Sequence, residues 1–320
     1  MAIQRAFNDI APDKILEADQ QSYLTSLGWS RASGWADILR SKRILIISEA
    51  GAGKTYECRE QRQRLWDAGE PAFLLELATL ASSDVRTMLD HEEERRLDAW
   101  LTSQSDVATF FLDSIDELKL SLGSVEQALK RLRKAIGGQL ARVRIVITTR
   151  PVPFDEQLIR RLLNVPTPPE AEVTGETFAQ VAMGKRPDRD KKEDDAPAEW
   201  RTVALMPLSD AQIADFARGQ GIADTNELRE DLRRRNAQDF ARRPQDLLEL
   251  CADWRDFKRI RTHREQVMTN VRVKLKPRGP PRASRAIGRQ GDRRREPAGA
   301  GNDKHAALHY PAQRRGGRGP

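Results

Sequence analysis

Short apolar runs alternate with longer stretches of helical spacing along most of the chain. The run Arg43–Ile47 is compact and rich in isoleucine, which predicts a strand buried on both faces rather than an edge strand. Similar runs follow at residues 72–77, 108–112, 144–148 and 203–206, with helical patterns between them at 54–68, 85–101, 124–136 and 155–163. Strands separated by helices of this length imply beta-alpha-beta crossovers. The expected fold class is therefore α/β, a parallel sheet with helices on both faces. Upstream, Ile15, Leu16, Tyr23, Leu24 and Leu27 fall at helical spacing, and a short helix is expected over 36–41. Residues 1–40 thus read as an N-terminal helical segment and 41–165 as the sheet core.

The rhythm breaks at 166–200, where PTPPEAE and GKRPDRDKKEDDAPAE mark a charged insertion or linker. Residues 201–265 then supply a last core strand followed by helical patterns at 209–220, 225–236 and Pro244–Phe257, a smaller helical module. Ser209 is the expected N-cap of the first of these helices, and Pro244 the expected first residue of the last.

Charge changes the picture at one place. Residues 272–320 hold 14 Arg and Lys against 3 Asp and Glu, a net +11, whereas the whole chain carries +7. The remaining 271 residues are therefore at −4, and the basic character belongs to a tail rich in glycine and proline that lacks Phe and Trp. Such a tail buries too little apolar surface to offset its ordering entropy, so it is expected to be disordered. Its composition also suits a frame-shifted or otherwise aberrant end. Cys58 and Cys251 lie far apart and read as ordinary thiols of a reducing compartment. No apolar run approaches the roughly 18 residues of a membrane span, and charges interrupt the N-terminus where a secretory signal would have none. A cytoplasmic protein without membrane contact is the expectation.

Candidate chemistry sits at the ends of the expected strands. Directly after Arg43–Ile47 comes Ser48-Glu49-Ala50-Gly51-Ala52-Gly53-Lys54-Thr55, with helical spacing from the lysine onward. Strand, glycine-rich loop and helix in this order form the Walker A context. Small residues let the backbone N–H groups of residues 49–53 wrap a phosphate, Lys54 reaches the beta and gamma phosphates, and Thr55 offers a hydroxyl to Mg2+. Ser48 stands where the motif usually has glycine. The run TFFLD ends in Asp113, an acid suited to holding Mg2+, and Asp116 and Glu117 follow it. Those two carboxylates either orient or deprotonate an attacking water, or cap the next turn. Arg150 ends the next strand, and its planar fork matches the oxygens of a gamma phosphate.

The segments ISEAGAGKT, TFFLDSIDEL and RIVITTRP, then VALMPLSDAQIADFA and ARRPQDLLEL, resemble NACHT-type P-loop NTPases of the STAND class from about Trp35 to Trp254. The resemblance rests on the order of the motifs and on the D-x-x-D-E form of Asp113 to Glu117. It implies a gamma-phosphate sensor at Arg150 and a lid proline near adenine at Pro244, with Arg242 in place of the glycine-type residue two positions before. It further implies an ATP/ADP-driven conformational switch in signalling or defence, with slow Mg2+-dependent hydrolysis and with self-association or an effector protein as partner. The family's winged-helix histidine has only His263 as a candidate, and its context RIRTHREQ reads as a solvated helix face. Two other readings stay open: a nucleic-acid-dependent ATPase using the basic tail, and a nucleotide-binding scaffold without turnover. The tail offers only Tyr310 for base stacking, which disfavours the first. No guanine-reading NKxD follows the sheet motifs, which favours ATP over GTP.

Overall fold

A computed structural model describes residues 3–11, 33–118, 122–166 and 199–261, together with 265 and 268. The helical spacing from Ile15 to Leu27, most of the insertion, His263 and the tail from 272 lie outside the described residues.

Six strands form one sheet: β1 (Phe7–Asp9), β2 (Arg43–Ile47), β3 (Ala72–Glu76), β4 (Ala108–Asp113), β5 (Val143–Thr149) and β6 (Trp200–Leu205). Their spatial order is β1-β6-β2-β5-β4-β3, with β1 antiparallel to β6 and every other pairing parallel. The isoleucine-rich β2 is central as its composition requires, in register with Ile145 to Thr149 on one side and with Trp200 to Ala204 on the other. Of the five parallel strands, the neighbours β2, β5 and β4 end in the segments that carry the candidate chemistry, which therefore share one edge of the sheet.

Alternate residues of the strands feed two separate cores, as the pleat demands. One face presents Leu45, Ile47, Phe110, Leu112, Ile145 and Ile147 to α3 (Leu77–Leu80), α4 (Val85–Met88), α5 (His91–Thr102), α6 (Leu122–Ala135) and α7 (Glu156–Leu162). The other presents Ile44, Ile46, Phe111 and Val146 to α1 (Trp35–Ile38) and α2 (Lys54–Asp67). This is the P-loop NTPase arrangement of a parallel sheet with flanking helices. At the opposite edge from the candidate loops, Arg43 is fully buried and donates to the carbonyls of Lys42, Leu140, Val143, Leu163 and Asn164. Burial lowers its pKa to about 10, so it stays charged near neutral pH and staples three segments at the start of β2.

Three local differences from the sequence expectation have physical causes. The helix expected over 85–101 is two helices, because Leu89 turns extended and Asp90 begins a capping box with Glu93. The strand expected to reach Leu77 stops at Glu76, and Leu77 opens α3 instead. Residues 7–9, within the segment read as helical, form the edge strand β1, where Phe7 is fully buried and meets the Trp35 ring edge-on at 4.9 Å. Three residues are too few to show a period, so only pairing with β6 defines them as a strand.

The helical module comprises α8 (Asp210–Gly219), α9 (Thr225–Arg234), α10 (Gln238–Ala241) and α11 (Pro244–Phe257). Ser209 caps α8 in a box with Gln212, Asp224 caps α9, and Pro244 occupies the first turn of α11. Its own core joins Leu208, Ile213, Leu228, Leu232, Leu247 and Trp254.

Candidate functional site

The loop between β2 and α2 takes its shape from two glycines. Gly51 has φ +76° and Gly53 φ +96°, left-handed conformations that strain any residue with a Cβ. Ser48 is not among the residues with positive φ, so this position works without the glycine usual in the motif. Its hydroxyl is buried and finds no partner among the described residues, while its N–H donates to Thr149 O at 3.2 Å. Leaving a buried hydroxyl unpaired costs about 1–3 kcal/mol. Ser48→Ala is therefore expected to raise the melting temperature, by about 2–4 °C per kcal/mol gained. Ser48→Gly is expected to gain less, because added backbone freedom costs about 0.5–1 kcal/mol. Thermal unfolding of the three proteins side by side checks this, and a lower melting point for Ser48→Ala would contradict it.

At the head of α2, Lys54 Nζ donates to Ser48 O at 2.5 Å and to Glu49 O at 3.0 Å, so the amine curls back over its own loop. Burial lowers the pKa of this amine; the carboxylates of Asp116, Asp113 and Glu49 oppose that shift, and the Arg150 charge adds to it. Thr55 Oγ1 donates to Asp113 Oδ2 at 2.5 Å, and Thr148 Oγ1 donates to Asp113 Oδ1. The two residues expected to hold Mg2+ are thus adjacent, and β5 holds the carboxylate from its other side. A hydroxyl and a carboxylate in contact beside this loop form a hard-oxygen donor pair of the kind that would hold Mg2+.

Asp116 lies on the 3-10 turn Ile115–Leu118 that follows β4, with its side chain only 3 % exposed. One of its oxygens accepts from Ser114 Oγ at 2.8 Å and the other pairs with Arg150 Nε at 2.7 Å. Arg150 keeps 41 % of its side chain exposed, so the guanidinium is anchored at one end and open at the other. Glu117 is on the same turn, and the structure describes its backbone only.

The helical module reaches this loop directly. Gln245 N donates to Gly51 O at 3.3 Å, and a Cβ built on Gly51 would stand 3.1 Å from Gln245 Oε1. A Cβ on Gly53 would stand 3.5 Å from Pro244 Cγ. Pro244, expected near adenine from the resemblance, is thus placed against the loop glycine that caps α2.

Sequence reasoning missed Arg5 altogether. It lies two residues before β1, is buried to 4 % exposure, and donates to Ala52 O at 3.0 Å within the loop and to Met206 O at 2.6 Å beyond β6. Glu57, on the first turn of α2 below the loop, is also buried and accepts from Trp35 Nε1 at 3.2 Å. Burial raises its carboxyl pKa, with the Trp35 bond and the Arg5 charge opposing. No local pattern marks Arg5, because its partners are 47 and 201 residues away. Both cysteines are buried and free, and burial pushes Cys58 well above its ordinary pKa and Cys251 up to about 12. Both shifts run against thiolate formation. Among the described residues no three His, Cys, Asp or Glu side chains cluster as a metal cage, and no helix is long and apolar enough to cross a membrane.

No protein-family model matches the chain, and none of the curated proteins matches it. Among solved structures, a FIGL-1 AAA domain in complex with ADP aligns at 12% identity with a TM-score of 0.31, covering 84% of this chain and 92% of that one. PCH-2 of C. elegans aligns at 13% identity with a TM-score of 0.28, covering 75% of this chain and 68% of that one. Scores this low carry no inference, and the fold class rests on the strand order and loop geometry above.

Proposed function

We propose that this chain is an ATP-binding NTPase of the STAND or NACHT-like kind, a conformational switch that hydrolyses ATP slowly. The observation that carries this reading is the seating of the helical module on the phosphate loop: Gln245 rests on Gly51, and Pro244 on Gly53. A phosphate in the loop and the placement of α11 then share one surface, so the two are energetically coupled. Moving a two-state protein from 1:99 to 99:1 requires about 5.5 kcal/mol of differential binding. Charged contacts to a single phosphate group supply energies of this order.

The loop amides of residues 49–53 bind the phosphates, and Lys54 leaves the Ser48 and Glu49 carbonyls to neutralise the beta and gamma oxygens. Thr55 and Asp113 would hold Mg2+, which supplies charge neutralisation at the phosphate oxygens. With both Asp116 oxygens engaged, that residue serves to aim Arg150, whose exposed end reads the gamma phosphate. Glu117 then orients the attacking water and takes its proton. Copies of the chain itself or an effector protein are the partners such a switch acts on.

The nucleotide carried by the purified protein tests this reading. Denaturing the protein and chromatographing the released nucleotide is expected to yield ADP. A protein that carries none, and binds neither ADP nor ATP in calorimetry, would refute it.

A further inference from the structure

We infer that Arg5 is a positioning residue of the 48–55 loop, tying it to the hinge from which the helical module hangs; the inference rests on the nucleotide reading of that loop. The hinge begins at Met206, the residue after β6, and its N–H donates to Ala6 O at 2.9 Å. Two residues on, Leu208 N donates to Arg242 O at 2.9 Å, inside the module. One guanidinium therefore bridges loop and hinge, with Nη1 on Ala52 O and Nη2 on Met206 O. A lysine point charge spans two separated carbonyls less well than this planar fork.

Gly53 is where the parts meet. A Cβ placed there would be 3.5 Å from Arg5 Nη1 and 3.5 Å from Pro244 Cγ, so the N-terminal strap and α11 approach the same glycine. The carbonyl that Arg5 binds belongs to the peptide unit that carries the Gly53 N–H. A cationic donor on that carbonyl polarises the unit and strengthens its N–H as a donor. Arg5 thus supports the loop amides electrostatically from behind as well as holding their geometry.

Arg43 provides the contrast. It is buried as deeply, yet five carbonyls surround it at the far edge of the sheet, away from the candidate chemistry. Arg5 instead has two carbonyl partners, and its Nε has none among the described residues. As a fold staple Arg5 is therefore poorly satisfied, while its placement suits the loop.

The test compares full-length Arg5→Met, Arg5→Lys and Arg43→Lys with the wild type, by ADP calorimetry and thermal unfolding. Arg5→Met is expected to weaken ADP binding by about tenfold, because the Ala52–Gly53 peptide loses the tie that positions it before the phosphate arrives. Arg5→Lys should recover part of that loss, and Arg43→Lys should lower the melting temperature while leaving ADP affinity within about twofold of wild type. If Arg5→Met does not fold, the Arg5→Lys affinity, set against Arg43→Lys, decides. Wild-type ADP affinity in the Arg5 variants, or an equal loss in Arg43→Lys, overturns the role of Arg5. A wild type that binds no ADP overturns the nucleotide reading itself, so the two failures are distinguishable.

Discussion

Replacing Lys54 with alanine is expected to weaken ATP binding by about a hundredfold or more and ADP binding by about tenfold or more. Each hydrogen bond to a charged group contributes about 1.5–3 kcal/mol; with ATP the lysine addresses two phosphates, which together exceed two decades, and with ADP only the beta phosphate remains, so that loss is about one to two decades. The position admits no substitute from its surroundings. Arg150 is held on Asp116, and Arg5 is committed to Ala52 and Met206 from behind the loop. The loop is expected to keep its turn, which is set by Gly51 and Gly53, although it loses the two bonds from the amine to Ser48 O and Glu49 O. Calorimetry with ATP and with ADP, alongside circular dichroism to confirm folding, gives the answer. A folded Lys54→Ala protein with undiminished nucleotide affinity would sink the proposed function.

The second large effect is expected at Glu117. Glu117→Gln should keep ATP bound and slow its hydrolysis about 10²- to 10⁴-fold, the usual contribution of a positioned general base. The neighbouring acid should behave differently. Asp116→Asn removes the counter-charge of Arg150 while keeping the shape that accepts from Ser114, so it should weaken the response to the gamma phosphate and spare ADP affinity. Phosphate release under single-turnover conditions separates the two variants, with ATP and ADP affinities measured beside it. If Asp116→Asn stops hydrolysis with Arg150 contributing nothing, and Glu117→Gln turns over normally, the roles assigned to the two acids are reversed.

These expectations differ in how early they become visible. The loop 48–55 is legible from eight consecutive letters because its chemistry is local: glycines for the turn, a lysine and a threonine at the head of a helix. The strands β2, β4 and β5 are legible to within a residue or two, since buried parallel strands read as short aliphatic runs. The cap at Ser209 is legible because its side chain bonds the amide three residues ahead, whereas Asp155, read as helical, proves to be the cap of its helix. The interruption at Leu89 is harder to see, because the helical period runs on through it while the Asp90 capping box starts a new helix.

The pairing of Asp116 with Arg150 shows where local reading stops. Each residue stands out by its place at the end of an apolar run, and nothing in either run says that the two meet. The contact exists because β4 and β5 are parallel neighbours, with Leu112 beside Ile147, so their trailing loops emerge side by side. That neighbour relation converts a second candidate base into the anchor of an arginine.

By itself, the sequence determined the α/β class, the glycine-rich loop 48–55 and the candidate acids, because each depends on residues within a few positions of one another. It also determined that the chain's net positive charge resides after residue 271, while the body that carries those motifs is net negative. Only the tertiary structure decided that residues 7–9 are a strand, that Gln245 and Pro244 rest on Gly51 and Gly53, and that Arg5 stands behind the loop. The partners of Arg5 are 47 and 201 residues away, and no periodicity or propensity extends over such distances. Sheet order brings them together: once β6 lies between β1 and β2, Arg5, two residues before that edge strand, is carried to the loop 48–55.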